Sequence, residues 1–86
     1  MHTVELLDQA LEVARAAGYQ IRQEWLGGSG GGGCEIGGQK WVFLDLALSP
    51  AEQLDQIVDT LRGDLSIGRL NLSPRLGELF GLRKTA

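Results

Sequence analysis

The stretch GGSGGGGCEIGGQKWVFLDLALSP, residues 27–50, contains the features that decide how this chain folds. It opens on a run of glycines, passes the only cysteine, Cys34, and continues into a long apolar segment that ends on a Ser-Pro pair. The glycine run has three possible interpretations: a phosphate-cradling loop, the surroundings of a reactive thiol, or a flexible connection between strands. The elements predicted on either side of the glycine run decide which interpretation is favoured.

The second half of the stretch predicts a β-hairpin. The pair Gly37-Gly38 can adopt the positive φ angles that a two-residue type I′ turn requires. This turn places Glu35 opposite Lys40 and Cys34 opposite Trp41. The opposite charges of the first pair favour this register.

The long strand after the turn is largely apolar on both of its faces, so both faces need a cover. One face carries Lys40, Val42, Leu44 and Leu46, and the other carries Gln39, Trp41, Phe43 and Asp45. Helices can cover the first face. A partner chain or the C-terminal segment then has to cover the second.

Two main helices are predicted around this sheet. Residues 4–17 repeat apolar side chains at helical spacing, and residues 50–62 do the same after a capping box of Ser49 and Glu52 with Pro50 at the first helical position. The expected apolar stripes are Val4, Leu7, Leu11 and Ala14 in the first helix and Leu54, Ile57, Val58 and Leu61 in the second.

The remaining segments complete an α+β fold. Residues 19–26 alternate as a half-buried strand with Tyr19, Ile21 and Trp25 on one side. Residues 65–72 suggest extended chain or an edge strand, a short helix starts at Ser73-Pro74, and the last five residues are expected to fray. We predict a three-stranded antiparallel or mixed sheet with two main helices on one face and a short C-terminal helix.

The chain length allows one domain with a thin core, which usually needs support from disulfides, a metal or a partner. One cysteine cannot form an intramolecular disulfide, and one histidine with one cysteine cannot supply a structural zinc site. No metal or cofactor is therefore expected, and association into a homo-oligomer is the expected support.

Composition narrows the classes of partner. The net charge of −3 and the sequence pI near 4.9 disfavour nucleic acid. No segment is apolar and long enough to span a bilayer, the start lacks the basic region of a signal peptide, and a single cysteine favours the cytoplasm.

The charges divide the chain into an acidic core, residues 1–64, and a basic extension, residues 65–86. The extension is expected to pack on the core or on a partner chain. Its Arg69 and Arg75 are candidate interface residues, although solvated side chains explain the pattern equally well.

The glycine run contains a formal G-x-G-x-x-G, from Gly28 to Gly33. In the dinucleotide-binding fingerprint this motif opens a helix, whereas here it enters a predicted strand. A flexible connection is the favoured interpretation. The weak candidates for a ligand site are Gly30, Gly31, Gly32 and Gly33.

Cys34 is the one weak candidate for a catalytic nucleophile. A reactive thiol needs a helix N-terminus, a cation or an imidazole nearby, and the only histidine, His2, lies near the chain end. The favoured interpretation is a small apolar residue buried against Trp41. The carboxylates of Glu35 and Asp45 are expected on different faces of the hairpin, as solvated charges.

Trp41 and Phe43 are candidates for an interface. Large aromatic side chains anchor either a core or a contact surface. For the two together, the sequence favours neither alternative.

Two resemblances accompany this interpretation. The order helix, strand, glycine-bearing loop, hairpin and helix, over residues 4–62, resembles the minimal core of zincin-like metallopeptidases, but the helix AEQLDQIVDTLR lacks their H-E-x-x-H motif. Zinc and peptidase activity are therefore not implied. The pattern G-G-G-x-C-x-I-x-G…W-x-F-x-D-L-A-x-S-P-x-E-Q, which includes Cys34 and ends at Gln53, is similar to that of small uncharacterised bacterial proteins, which imply no activity.

Three hypotheses for function remain at this point. The first is a non-catalytic interaction or regulatory module, homodimeric through the face with Trp41 and Phe43 or through the basic extension. The second is a small enzyme or ligand-binding protein that uses the glycine loop and Cys34. The third is a degenerate zincin-like module without metal, which binds a peptide along an exposed strand.

Overall fold

The structure is a computed structural model that describes residues 3–28, 31–64, 67, 70 and 72–81. The described residues form an α+β fold in which a three-stranded mixed sheet carries two main helices and a short third helix, as predicted. The elements are α1 (Thr3–Ala16), β1 (Tyr19–Glu24), β2 (Gly32–Ile36), β3 (Gln39–Asp45), α2 (Pro50–Arg62) and α3 (Pro74–Leu79).

The strand order of the sheet is β1-β3-β2. Strand β1 runs parallel to β3, and β2 runs antiparallel to it. The central position suits β3 because both of its faces are largely apolar, whereas β2 begins with two glycines. The sequence predicts an antiparallel or a mixed sheet, and the structure shows that the sheet is mixed.

The hairpin between β2 and β3 has the predicted turn and register. Gly37 and Gly38 have φ angles of 58° and 82°, which fit a type I′ turn. Across the ladder, Cys34 lies opposite Trp41. Glu35 lies opposite Lys40, which confirms both predicted pairs.

The start of α2 is also as predicted. The Ser49 hydroxyl accepts a hydrogen bond from the backbone N–H of Glu52 at 3.2 Å, and the Glu52 carboxylate accepts one from the backbone N–H of Ser49 at 3.0 Å. Pro50 begins the helix. Helix α3 repeats part of this chemistry, because the Ser73 hydroxyl caps the backbone N–H of Leu76.

The hydrophobic core lies between the sheet and the helices. Helix α1 packs on β1 and on α2, and α2 packs on β2 and β3. The C-terminal segment adds side chains to the same core, and Phe80 is 1% exposed. The core side chains are Leu7, Ala10, Leu11, Ala14, Val42, Leu44, Leu54, Ile57, Val58, Leu61, Ile67, Leu76 and Phe80.

Two details of the predicted elements are wrong. Val4 was placed on the apolar stripe of α1, but it is 57% exposed because this end of the helix extends beyond the core. Trp25 was placed on the half-buried side of the first strand, but β1 ends at Glu24 and Trp25 is 75% exposed.

Two other predictions concern segments that the structure describes only in part. The extended or edge strand predicted over residues 65–72 lies mostly outside the described residues, of which only 67, 70 and 72 belong to this range. The fraying predicted for the last five residues also lies outside the described ranges.

Candidate functional site: the open face of the sheet

The face of the sheet opposite the helices is the candidate site, and we call it the open face. At its centre the rings of Trp41 and Phe43 lie 6.0 Å apart at 24°, in a stacked arrangement. The registers of the two strand pairs complete this face. Its members are Gln20 and Arg22 from β1, Cys34 and Ile36 from β2, and Trp41 and Phe43 from β3.

None of the described helices lies over the open face. Helix α3 packs against α1 in the helix layer, so the described part of the C-terminal segment supports the core and does not cover the aromatic rings. Trp41 and Phe43 are partly exposed, and Ile36 is 58% exposed. The described residues therefore leave a partly apolar surface in contact with solvent.

Cys34 lies on this open face, and the interpretation that it is buried is wrong. It faces Trp41 across the hairpin as expected, but its side chain is exposed and free. The reason is its position: β2 is an edge strand, with β3 on one side and no described strand on the other.

The glycine run connects β1 to β2 across the end of β3, and the carboxylate of Asp45 holds it there. Asp45 accepts hydrogen bonds from the backbone N–H groups of Leu26 at 3.0 Å, Gly28 at 2.7 Å and Ala47 at 2.9 Å. Asp45 is 0% exposed, so the interpretation of a solvated charge is wrong. Its carboxylate occupies the amides at the start of the run, which disfavours a phosphate there.

Two glycines of the run allow a close approach of backbone and helix that the sequence analysis missed. A Cβ atom on Gly31 would lie 2.0 Å from the carbonyl oxygen of Phe43. One on Gly33 would lie 2.5 Å from Cγ2 of Thr60 in α2. The spacing of these glycines, two residues apart on one side of a predicted strand, was the available signal.

Of the four glycines that were candidates for a ligand site, the structure describes three, and two of these belong to a strand. Gly32 and Gly33 form the first two residues of β2, and Gly31 lies against β3. Gly30 lies outside the described residues.

A polar cluster lies on the helix side of the sheet, at the end near the hairpin turn. The Tyr19 hydroxyl donates a hydrogen bond of 2.7 Å to Oδ2 of Asp64, and the Lys40 ammonium lies 2.9 Å from the same oxygen and 4.7 Å from the centre of the Tyr19 ring. Burial, followed by the hydrogen bond to Asp64, raises the pKa of Tyr19 to about 12. The cluster borders a groove of about 350 Å³ that Glu35 and Thr60 also line.

This cluster connects elements, and the charge of Glu35 adds to the raised pKa of Tyr19 less than burial and Asp64 do. Lys40 lies opposite Glu35 in the ladder, but its ammonium contacts the carboxylate of Asp64 at the end of α2. The cluster therefore joins β1, β3 and the end of α2. We interpret this as a structural role for Tyr19, Lys40 and Asp64.

The structure does not bring Arg75, the one described basic candidate, together with the aromatic pair. Arg75 is exposed in α3, which packs in the helix layer on the other side of the sheet. Arg69 lies outside the described residues. The charges on the open face belong to β1, where Arg22 pairs with Glu24.

Metal sites and membrane spans are both absent from the described ranges. Among the residues described, no group of three or more His, Cys, Asp or Glu side chains could hold a metal ion. None of the helices formed by these residues is long and apolar enough to cross a membrane.

Comparisons of the chain with family models, with curated proteins and with solved structures found no match. The two resemblances drawn from the sequence therefore remain predictions.

Proposed function

We propose that this protein is a small non-catalytic interaction module that contacts another protein through the open face of its sheet. The observation that carries the proposal is the stacked pair of Trp41 and Phe43, which lies partly exposed where the described residues provide no cover. Aromatic side chains are enriched at the centres of protein interfaces, where they supply much of the binding energy.

The partner proposed is a second copy of the chain, packed face to face on the first. A domain of this length buries a smaller share of its surface than a larger domain does, and it gains stability when it associates. Two open faces suit each other because each has an apolar centre, with Arg22 and Glu24 of opposite charge to one side. A twofold axis lets the same patch serve both copies.

Sedimentation equilibrium over a wide range of protein concentration tests this proposal. The variant Trp41→Gln/Phe43→Gln removes the aromatic pair, and we expect it to associate at least about tenfold more weakly than the wild type, since a lost hot spot costs roughly 2 kcal/mol or more. The matched control is Val4→Gln, which makes the same kind of change on the helix layer, at a side chain that is 57% exposed.

The control is expected to leave association unchanged. Equal association of the aromatic double variant and the wild type, with both retaining a cooperative unfolding transition, would overturn the proposal. So would a wild-type chain that stays monomeric at every concentration.

A further inference from the structure

The outer edge of β2 is a second surface, distinct from the open face. The strand order places β2 at the edge of the sheet, and its residues 33–36 are exposed. Ile36 and Gln39 flank the two-residue turn and form a hydrogen-bonded pair, so hydrogen bonding to β3 alternates along β2 from this pair. Gly33 and Glu35 therefore direct their backbone N–H and C=O groups away from β3.

This edge lacks the features by which proteins block strand edges. Residues 32–36 contain no lysine, no proline and no bulge against β3, and Glu35 is their one charged residue. A row of outward backbone donors and acceptors selects an extended strand as its partner.

We infer that two copies of this chain pair antiparallel along β2, about a twofold axis at Cys34, and so form one six-stranded sheet. In this register Glu35 of each copy lies opposite Gly33 of the other. These are the two residues with outward backbone groups, so each Glu35–Gly33 pair exchanges both of its hydrogen bonds. The pairing is self-complementary, which makes a second copy the occupant.

The side chains fit the same register. Ile36, which is 58% exposed, falls opposite Gly32 of the second copy, and Gly32 leaves open the space beside Phe43 on its own β3. The exposed Cys34 meets Cys34 of the second copy on the open face. Each exposed apolar side chain of β2 thereby gains an uncharged neighbour.

Geometry disfavours the main competing arrangement, which is parallel pairing. A twofold axis that made the two β2 strands parallel would turn the second copy over and set Glu35 opposite Glu35 in register, where their backbone groups cannot form the slanted hydrogen bonds of a parallel ladder. The antiparallel register opposes each Glu35 to an uncharged glycine. The α2 side chains that approach this edge, Gln56 and Thr60, are uncharged as well.

Edge pairing depends on the outward backbone groups of β2, whereas the proposed function depends on the rings of Trp41 and Phe43, so each can fail without the other. Together the two contacts predict four chains with closed symmetry, as two six-stranded sheets packed face to face. Loss of either contact alone leaves two chains.

Cross-linking through Cys34 tests the edge directly. Diamide is expected to convert the wild type into disulfide-linked pairs quickly, because pairing raises the local thiol concentration to roughly the millimolar range. The matched control is Cys34→Ser/Gln20→Cys. Gln20 lies in the same cross-strand row, but on β1 at the far edge of the sheet.

The control is expected to cross-link at least about tenfold more slowly at the same dilute concentration. Equal rates for the two proteins would overturn edge pairing, since both residues lie on the open face and edge pairing brings only the Cys34 thiols together. Residues 82–86 bound along β2 of their own chain would also prevent the Cys34 cross-link, and that outcome overturns the inference too.

The variant Glu35→Pro separates the edge from the face. Proline removes the outward N–H of residue 35 and leaves the hydrogen bonds between β2 and β3 in place. We expect it to halve the assembled mass and to abolish fast cross-linking, whereas Trp41→Gln/Phe43→Gln keeps the cross-link. If Glu35→Pro assembles to the same mass as the wild type, edge pairing is wrong and the proposed face-to-face contact is unaffected. If this variant does not fold, the comparison of Cys34 with the Gln20→Cys control still decides.

Discussion

Oδ2 of Asp45 accepts a hydrogen bond of 2.7 Å from the backbone N–H of Gly28, which holds the start of the glycine run at the end of β3. The contact joins residues that are seventeen positions apart. The sequence predicts a flexible connection here, whereas this hydrogen bond holds the start of the segment at a fixed point of the sheet.

Replacing Asp45 with asparagine is expected to lower the free energy of unfolding by about 1–3 kcal/mol. Asparagine keeps one acceptor oxygen, but its NH₂ group then faces amide donors that a carboxylate oxygen had satisfied. Urea denaturation measures the change. Asp55→Asn on the exposed side of α2 is the control, and a similar small effect for both variants would contradict the role of Asp45.

Gly33→Ala is expected to destabilise the protein by about 1–3 kcal/mol, because the added Cβ would lie 2.5 Å from Cγ2 of Thr60. Thr60→Ser removes that methyl group and keeps the hydroxyl that donates to the carbonyl of Gln56. We therefore expect the double variant to recover most of the loss.

A double-mutant cycle in urea measures the coupling between the two positions. If the effects of Gly33→Ala and Thr60→Ser simply add, the close approach of α2 to β2 is not what requires glycine here.

The type I′ turn predicts that two substitutions of Gly37 differ in their effect on stability. Gly37 has a φ of 58°, so Gly37→Val is expected to cost roughly 1–2 kcal/mol, since a side chain at Cβ opposes the left-handed conformation. Gly37→Asn is expected to be nearly neutral, because asparagine tolerates this conformation. Thermal unfolding compares the two variants, and an equal loss for both would argue against the type I′ turn.

The polar cluster predicts a fall in stability in alkali. Because folding raises the pKa of Tyr19 from 10.0 to about 12, the folded state binds the phenolic proton more tightly than the unfolded state. This contribution is fully present below pH 10 and is lost as the pH rises towards 12.

Tyr19→Phe has no such proton, so its unfolding free energy should fall less steeply over this interval. Urea denaturation at a series of alkaline pH values gives both slopes. Parallel slopes for the wild type and Tyr19→Phe would show that burial and the hydrogen bond to Asp64 do not raise the pKa of Tyr19.

The local elements of this protein follow from its sequence. The capping box of Ser49 and Glu52 and the pair Gly37-Gly38 act over a few residues, and each predicts its element correctly. The apolar stripe of α2 is confirmed side chain by side chain for the same reason, since helical periodicity fixes which residues share a face.

The predictions for Asp45 and Cys34 are wrong because both sites depend on residues that lie far apart in the chain. Asp45 reads as one more acidic residue, and only the passage of Leu26 and Gly28 over the end of β3 buries it. Cys34 reads as a small apolar residue beside Trp41, and only its position on an edge strand exposes it.

The sequence by itself determined the α+β composition, the helix starts, the hairpin register and the separation of the two faces of β3. Tertiary structure alone decided that β1 lies parallel to β3 and that Gly31 and Gly33 serve close packing. It also decided that the described C-terminal residues join the core and leave the open face uncovered. The reason is that backbone periodicity and capping act within a few residues, whereas strand order depends on which arrangement buries the most apolar surface. Placing β3 in the centre does this.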